Sequence, residues 1–141
     1  MQVPFFNYPH VFTAQENEFL NTLKDVGSRG AFIMQQDLQN FEQRIADYCG
    51  VKYAVGVANA TDGLQLGLMA GGVEAGAEVI ICSHTMIATA SAIHFAGAVP
   101  VPVEVGSDHT IDPDAIADAI TPNTRAIMPT QLNGRTADMA A

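Results

Sequence analysis

The chain has 141 residues, of which 48% are hydrophobic and 15% are charged; this composition is typical of a globular protein with a buried core and excludes a disordered one. The net charge is −9 at pH 7, and the six lysines and arginines form no cluster, so we exclude a nucleic-acid-binding surface. We recognise neither a signal peptide nor an apolar run of about 20 residues, the length that spans a bilayer, and therefore expect a cytoplasmic protein without a membrane segment.

Two helices are predicted in the first third of the chain. Pro4 and Pro9 stand too close together for a helix and predict an extended arm. Further on, Gly27 and Gly50 each follow a helical pattern and are predicted to end it. The predicted segments are an arm (1–12), a helix (Thr13–Val26), a linker (Ser28–Gln36) and a second helix (Asp37–Tyr48).

Apolar strands then alternate with helices. The predicted strands are Tyr53–Ala58, Glu78–Cys82, Val99–Val105 and Arg125–Thr130, and the helices are Thr61–Ala70, Thr85–Phe95, Asp114–Ile120 and one starting at Thr136. Strands that are apolar throughout and alternate with helices indicate an α/β fold, a largely parallel sheet with helices on both faces. Pro100 and Pro102 favour an edge position or a bulged start for their strand. Ligands on such sheets bind at the carboxyl ends of the strands, here Asn59–Asp62, Ser83–Met86 and Gln131–Asn133.

The cysteines and histidines indicate no metal site. Cys49 and Cys82 have no metal-ligand spacing and are predicted to be reduced, buried thiols, with a disulfide as the alternative. No two histidines are spaced as metal ligands either. We expect His84, at a strand end, to touch a ligand, His94 to pack inside, and His10 and His109 to lie on the surface.

The stretch Val55–Leu64 passes from an apolar run through Asn59 and Ala60 into a helical pattern at Thr61. A strand that turns directly into a helix leaves free backbone N–H groups at the positive end of the helix dipole. Such a place suits an anion, most often a phosphate. An ordinary strand–helix turn with Thr61 as its N-cap is the alternative.

Four segments follow one another in a characteristic order: GAFIMQQDLQNFE, CGVKYAVGVANATDGLQLGL, AEVIICSHTMIATASAIHFAGAVPVPVEV and IDPDAIADAITPNTRAIMPTQLNGRTADM. Together, over residues 28–139, they resemble the amino-terminal part of the DegT/StrS-type nucleotide-sugar aminotransferases. The resemblance implies the N-terminal part of the large domain of a fold type I aminotransferase, which binds pyridoxal 5'-phosphate (PLP). Residues 1–36 would be an arm, helix and linker, and residues 37–141 a PLP-binding α/β domain truncated at its carboxyl end.

The resemblance also implies the cofactor contacts. The family's Gly-Thr phosphate turn falls on Ala60 and Thr61, so Thr61 and the backbone N–H groups of Thr61 and Asp62 are expected to hold the PLP phosphate. Alanine at position 60 departs from the family but is small enough for the turn. The Asp62 carboxylate, favoured by the helix dipole, is expected to point away. Met86 stands where the family usually has an aromatic ring over the pyridine, which methionine covers more loosely; a place in a helix core is the alternative.

Four further residues are expected to contact the substrate. Gly30 and Phe32 lie in a stretch that, in the family, is near the sugar-nucleotide pocket. Gln131 and Asn133 stand where many members have His and Tyr, and are expected to face the cofactor or the substrate. The resemblance implies transamination of a keto-sugar nucleotide with glutamate as the amino donor, in amino-sugar or polysaccharide biosynthesis, by a homodimer.

Transamination with PLP needs a lysine that holds the cofactor and moves protons, and an acidic partner for the pyridine nitrogen. The family places both beyond the last motif found here, and neither Lys24 nor Lys52 is expected to replace that lysine. We therefore expect an N-terminal fragment that is inactive alone. Two alternatives are a non-catalytic phosphate- or nucleotide-binding α/β module, although it lacks the G-x-G-x-x-G and P-loop spacings, and a PLP-dependent sugar dehydratase relative.

Overall fold

The computed structural model describes residues 3–141, which form two compact units. One unit reaches to Gly56, and the other spans Val57–Ala141. The predicted boundary between residues 36 and 37 stays a prediction. Among the described residues, no helix has both the length and the apolar character needed to cross a bilayer.

The first unit opens with helix α1 (Tyr8–Arg29), which begins earlier than predicted. Asn7 caps this helix, because its side-chain oxygen accepts a hydrogen bond of 3.3 Å from the backbone N–H of His10. Pro9 lies in the first turn, where a proline is tolerated because its missing N–H would have no partner inside the helix. The predicted extended arm is therefore wrong from Tyr8 onward, and its residues 1–2 lie outside the described part of the chain.

Helix α1 continues through Gly27, the predicted stop, and ends at Gly30. Gly30 has a φ of +63°, in the left-handed region that favours glycine, and its N–H donates to the Gly27 carbonyl at 3.1 Å. A Cβ at either glycine would meet no atom within 4 Å. Only the backbone conformation therefore distinguishes the two positions.

This difference predicts opposite effects for two identical substitutions. Gly27→Ala is expected to raise the free energy of unfolding by up to about 1 kcal/mol, because alanine is the better helix former. Gly30→Ala is expected to lower it by about 1 kcal/mol, because a side chain strains a left-handed backbone. Urea denaturation of the encoded protein, meaning the gene product that contains these 141 residues, measures both changes. Changes of the same sign would contradict the assigned end of α1.

Helix α2 (Gln36–Cys49) agrees with the prediction to within one residue at each end and closes at Gly50, with a φ of +67°. The Arg29 Nη2 atom lies 2.9 Å from an Asp25 carboxylate oxygen and 3.0 Å from one of Asp37. A single guanidinium thus joins the end of α1 to the start of α2. Because all three side chains are largely exposed, these ion pairs orient the linker more than they stabilise it.

The predicted strand Tyr53–Ala58 is absent, since these residues form no ladder with any strand of the described chain. The Gly56 N–H instead donates to Glu42 Oε1 at 2.7 Å. Tyr53 and Val55 are 73% and 79% exposed. A strand requires hydrogen bonds to a neighbouring strand, and an apolar run does not supply them.

The second unit is built on a three-stranded parallel sheet with the order β2-β1-β3, and the predicted α/β class is confirmed. Its strands are β1 (Glu78–Cys82), β2 (Val99–Val103) and β3 (Thr124–Met128), and its helices are α3 (Ala60–Ala70), α4 (Ile87–Phe95), α5 (Pro113–Ala119) and a short 3-10 helix (Leu132–Gly134). The helix predicted at Thr136 is absent, because residues 135–141 are irregular.

Strand β1 is the centre of the sheet and supplies both of its packed faces. Successive side chains of a strand point to opposite sides. Val79 and Ile81 pack on one side, and Ile80 and Cys82 pack on the other. The first cluster includes residues of α3 and α4 (Leu68, Ile93), and the second includes residues around α5 (Ile111, Ala115, Ile116). Helices therefore cover both faces, as predicted.

Strand β2 is an edge of the described sheet, as its prolines predicted. The Val99 N–H donates to the Ala77 carbonyl at 2.8 Å, so the alternate residues of β2 turn their N–H groups toward β1. Pro100 and Pro102 fall between them, at positions whose N–H groups would point away from the sheet. The two prolines therefore remove no hydrogen bond from the ladder between β1 and β2.

Candidate functional site

The candidate phosphate turn lies at the start of α3 and is capped by Asn59. Its Oδ1 accepts a hydrogen bond of 3.0 Å from the Asp62 N–H, and its Nδ2 donates to the Asp62 carboxylate at 2.9 Å. The alternative with Thr61 as the N-cap is therefore wrong. The reciprocal pair also holds the Asp62 side chain against Asn59.

This capping leaves two backbone donors free. The Gly63 N–H makes the first bond within the helix, to the Asn59 carbonyl at 3.1 Å, and the Asp62 N–H is taken by the cap. The N–H groups of Ala60 and Thr61 donate to no acceptor among residues 3–141. With the half-buried Thr61 side chain, they stand at the positive end of an 11-residue helix. The turn thus has the donors and the field that an anion requires, which fits a phosphate.

The Asp62 amide differs from the other predicted phosphate donors, because the Asn59 side chain already occupies it. Its role as a phosphate ligand stays a prediction and requires Asn59 to turn away. The Asp62 carboxylate carries a negative charge next to the free amides, and its bond to Asn59 fixes where that charge lies.

Met86 occupies the N-cap position of α4, and its side chain is 72% exposed, so a place in a helix core is wrong. It borders a cavity of about 430 Å³ formed by the end of β1, the start of α4 and Pro100 and Pro102 of β2. Methionine has no oxygen in its side chain, so Met86 does not cap α4 with a side-chain hydrogen bond. The thioether is therefore available to a ligand.

The loop after β3 carries Gln131 and Asn133. Gln131 braces this loop, because its Oε1 accepts from the Ala137 N–H at 2.6 Å and its Nε2 points to Met139 Sδ at 3.5 Å. Asn133 is exposed and has a φ of +53°, a conformation that asparagine adopts more readily than most residues. Of the two predicted substrate residues, Asn133 is the one whose side chain makes no hydrogen bond within residues 3–141.

Gly30 and Phe32, the other predicted substrate residues, lie in the first unit. Gly30 forms the carboxyl-terminal cap of α1, and Phe32 follows it with 73% of its side chain exposed. Their contact with a substrate stays a prediction.

Three threonine hydroxyls form an element of the site that sequence analysis missed. Thr85 Oγ1 lies 2.8 Å from Thr89 Oγ1 and 2.8 Å from Thr130 Oγ1. Thr85 immediately precedes Met86, and Thr130 immediately precedes Gln131. The polar residues that follow the strands can be recognised in the sequence. Which of them lie close together depends on the order of the strands in the sheet.

Histidines meet at the same end of the sheet. The rings of His84 and His109 lie edge to face, with centroids 6.1 Å apart. The turn that carries His109 is held by Asp108, whose carboxylate accepts from the Thr110 N–H at 3.0 Å and from its hydroxyl at 2.8 Å. These hydrogen bonds lower the pKa of Asp108 below its usual value.

The remaining predictions for histidines and cysteines have mixed outcomes. His10 and His109 are exposed, as predicted, but His94 is also exposed, so its predicted packing is wrong. Both cysteines are free; Cys82 is buried, whereas the predicted burial of Cys49 is wrong because the last residue of α2 faces solvent. The described residues include no cluster of three or more His, Cys, Asp or Glu side chains that could hold a metal ion.

Known proteins match this chain over nearly its whole length. A family model described as the DegT/DnrJ/EryC1/StrS aminotransferase family matches residues 13–141. The chain is 41% identical to a dTDP-3-amino-3,4,6-trideoxy-alpha-D-glucose transaminase of Streptomyces venezuelae, over 99% of this chain and 37% of the relative. It is 36% identical to a 3-oxo-glucose-6-phosphate:glutamate aminotransferase of Bacillus subtilis, over 98% of this chain and 32% of the relative.

A solved structure agrees with these matches. The crystal structure of NtdA from Bacillus subtilis with bound cofactor PMP superimposes with a TM-score of 0.93 at 36% identity, over 99% of this chain and 32% of that chain. The present chain therefore spans about a third of the length of these relatives.

Proposed function

Because the chain belongs to the DegT/DnrJ/EryC1/StrS aminotransferase family, we propose that it forms the cofactor-phosphate-binding part of a PLP-dependent sugar aminotransferase. The two relatives described above are named as sugar aminotransferases, and the similar structure of NtdA holds PMP, the aminated form of the cofactor. Since the chain spans about a third of their length, the remaining parts of such an enzyme would come from sequence outside residues 1–141.

One observation carries the proposal: the free N–H groups of Ala60 and Thr61 at the amino end of α3. Two amides, the Thr61 hydroxyl and the helix dipole would together bind the phosphate of PLP. The cofactor supplies the electron sink that makes amino-group transfer possible. The role of this part of the chain is thus to hold the cofactor by its phosphate and fix its position.

Met86 would cover one face of the cofactor ring. Its exposed thioether lies at the start of α4, and a polarizable sulfur packs favourably on an aromatic face. Asn133 would offer its free amide to the sugar, and Gln131 would hold the loop that presents it. For Gly30 and Phe32, in the first unit, we propose a contact with the substrate.

We propose a keto-sugar nucleotide as the substrate and glutamate as the amino donor. The relative from Streptomyces venezuelae is named for a dTDP-sugar, and the relative from Bacillus subtilis is named for glutamate and a sugar phosphate. A nucleotide sugar and a sugar phosphate are therefore the two substrate classes to test. We further propose that the enzyme is a cytoplasmic homodimer.

Neither lysine of the chain is proposed as the catalytic lysine. Lys24 is exposed on α1, and the Lys52 Nζ lies 4.9 Å from the centroid of the Tyr53 ring, where the cation rests against an aromatic face. The lysine that binds the cofactor would therefore lie outside residues 1–141, and these residues alone would not catalyse transamination.

The proposal is tested on the encoded protein in two steps. The reading frame after Ala141 is expected to contain a strand carrying an Asp and, later, a Ser-x-x-x-Lys-like stretch. Purified protein is expected to bind PLP, to convert it to pyridoxamine 5'-phosphate on addition of glutamate, and to release 2-oxoglutarate. Binding of PLP followed by dehydration of a sugar without amino transfer would instead identify a dehydratase. Failure to bind PLP would identify a non-catalytic module.

A further inference from the structure

The loops that carry Met86 and Gln131 are joined by a single hydrogen bond between hydroxyl groups. The ladder between β1 and β3 ends at the pair Ile81 and Met128. Beyond that pair, Thr85 Oγ1 lies 2.8 Å from Thr130 Oγ1. Among the described residues this is the one hydrogen bond between the two loops. We call the pair of Thr85 and Thr130 the threonine link.

The first loop, which runs from Ser83 to Met86, also makes backbone hydrogen bonds at both of its ends. The Ser83 N–H donates to the Val103 carbonyl at 2.9 Å, which ties the start of the loop to β2. Met86, at the end of the loop, has no side-chain oxygen with which to cap α4. The Met86 carbonyl accepts from the Thr89 N–H at 3.0 Å, which fixes Met86 to α4. The Thr85 hydroxyl is the contact that ties this end of the loop to the loop after β3.

The Thr85 hydroxyl lies between two other threonine hydroxyls. Thr85 Oγ1 contacts both Thr89 Oγ1 and Thr130 Oγ1, and because a hydroxyl has one proton, Thr85 accepts a hydrogen bond from at least one of them. Thr89 is buried in the first turn of α4, and Thr85 and Thr130 are half-buried. Water competes weakly for these hydroxyls, which strengthens the bond between Thr85 and Thr130.

We propose that the threonine link is the positioning device that sets the distance between the cofactor side and the substrate side of the site. This inference rests on the proposed function, because Met86 is the proposed cover of the PLP ring and Gln131 braces the proposed substrate loop. Methionine has more rotatable bonds than the aromatic residue usual at this position, so its contact with the ring depends more on a fixed backbone. Thr85 and Thr130 thus act through their neighbours, Met86 and Gln131.

The test measures PLP affinity and the circular dichroism that the bound cofactor acquires, using the encoded protein. Thr85→Val and Thr130→Val keep the side-chain shape and remove one hydroxyl each. Each is expected to weaken PLP binding by about five- to tenfold and to reduce the induced dichroism, which reports the orientation of the ring. The double variant is expected to be no weaker than either single one, because both remove the same bond.

Two control variants separate the link from a general loss of stability. Thr85→Ser restores the hydroxyl and is expected to restore both affinity and dichroism. Thr89→Val removes the other bond of Thr85 but leaves the link intact, so it is expected to lower the melting temperature without changing PLP affinity.

Two results would overturn the inference. One is wild-type PLP affinity and dichroism in Thr130→Val, and the other is an equal loss of affinity in Thr89→Val. If the wild-type protein itself failed to bind PLP, the proposed function would fall, and the inference with it. The wild-type titration therefore distinguishes the two kinds of failure.

Discussion

Thr61→Ala is expected to weaken the binding of PLP to the encoded protein by about ten- to a hundredfold. The substitution removes the only side-chain hydroxyl at the free amino end of α3. A hydrogen bond to a charged group contributes about 1.5–3 kcal/mol, and each 1.4 kcal/mol is about tenfold in affinity. The free N–H groups of Ala60 and Thr61 survive the substitution, so binding is weakened and not abolished. A fluorescence titration with PLP measures the change.

Pyridoxal, which lacks the phosphate, is the matched control ligand. Its affinity is expected to be the same for the wild-type protein and for Thr61→Ala, because the hydroxyl is proposed to contact only the phosphate. Thr61→Ser, which keeps the hydroxyl, is expected to bind PLP nearly as well as the wild type. An equal loss of affinity for PLP and pyridoxal would show that Thr61 does not bind the phosphate.

Ile80→Ala is expected to lower the free energy of unfolding by about 3 kcal/mol, within the range of about 2–5 kcal/mol found for such truncations. Ile80 lies in the middle of β1 with 0% of its surface exposed, and it packs with Val103, Ile111 and Ala137 on the face of the sheet covered by α5. The truncation opens a cavity at the centre of the sheet, where neighbouring elements cannot close in. Urea denaturation followed by circular dichroism measures the loss.

The same substitution on β3 provides the comparison. Ile127 is 45% exposed, so Ile127→Ala is expected to cost less than about 1.5 kcal/mol, since much of its side chain is already in water. Equal losses for the two variants would contradict a fold centred on β1.

The parallel sheet could be predicted because β1 carries its own signal. An unbroken apolar strand between two helices implies burial on both faces, and the residues of β1 pack alternately against the two helical layers. The absent strand Tyr53–Ala58 has a similar apolar run, but strand formation depends on a partner, which no local pattern reveals. At α1 the predicted arm is wrong, because Asn7 caps a helix and Pro9 lies in its first turn, where a proline is tolerated.

Free amides at the start of α3 could be predicted from the sequence, since the first N–H groups of any helix have no partner inside the helix. The role of Asn59 was also visible in principle, because its spacing to Asp62 is that of a reciprocal cap. The threonine link could not be predicted. Thr85 and Thr130 meet only because β3 lies beside β1, whereas β2 is the next strand along the chain.

A crystal structure of the encoded protein grown with PLP tests the central claim most directly. We predict that the phosphate oxygens lie about 2.7–3.2 Å from the N–H nitrogens of Ala60 and Thr61 and from the Thr61 hydroxyl, with the ring beside Met86. The same map shows whether the Asp62 amide leaves Asn59 to join them. A phosphate bound away from the amino end of α3 would contradict the claim that this turn holds the cofactor.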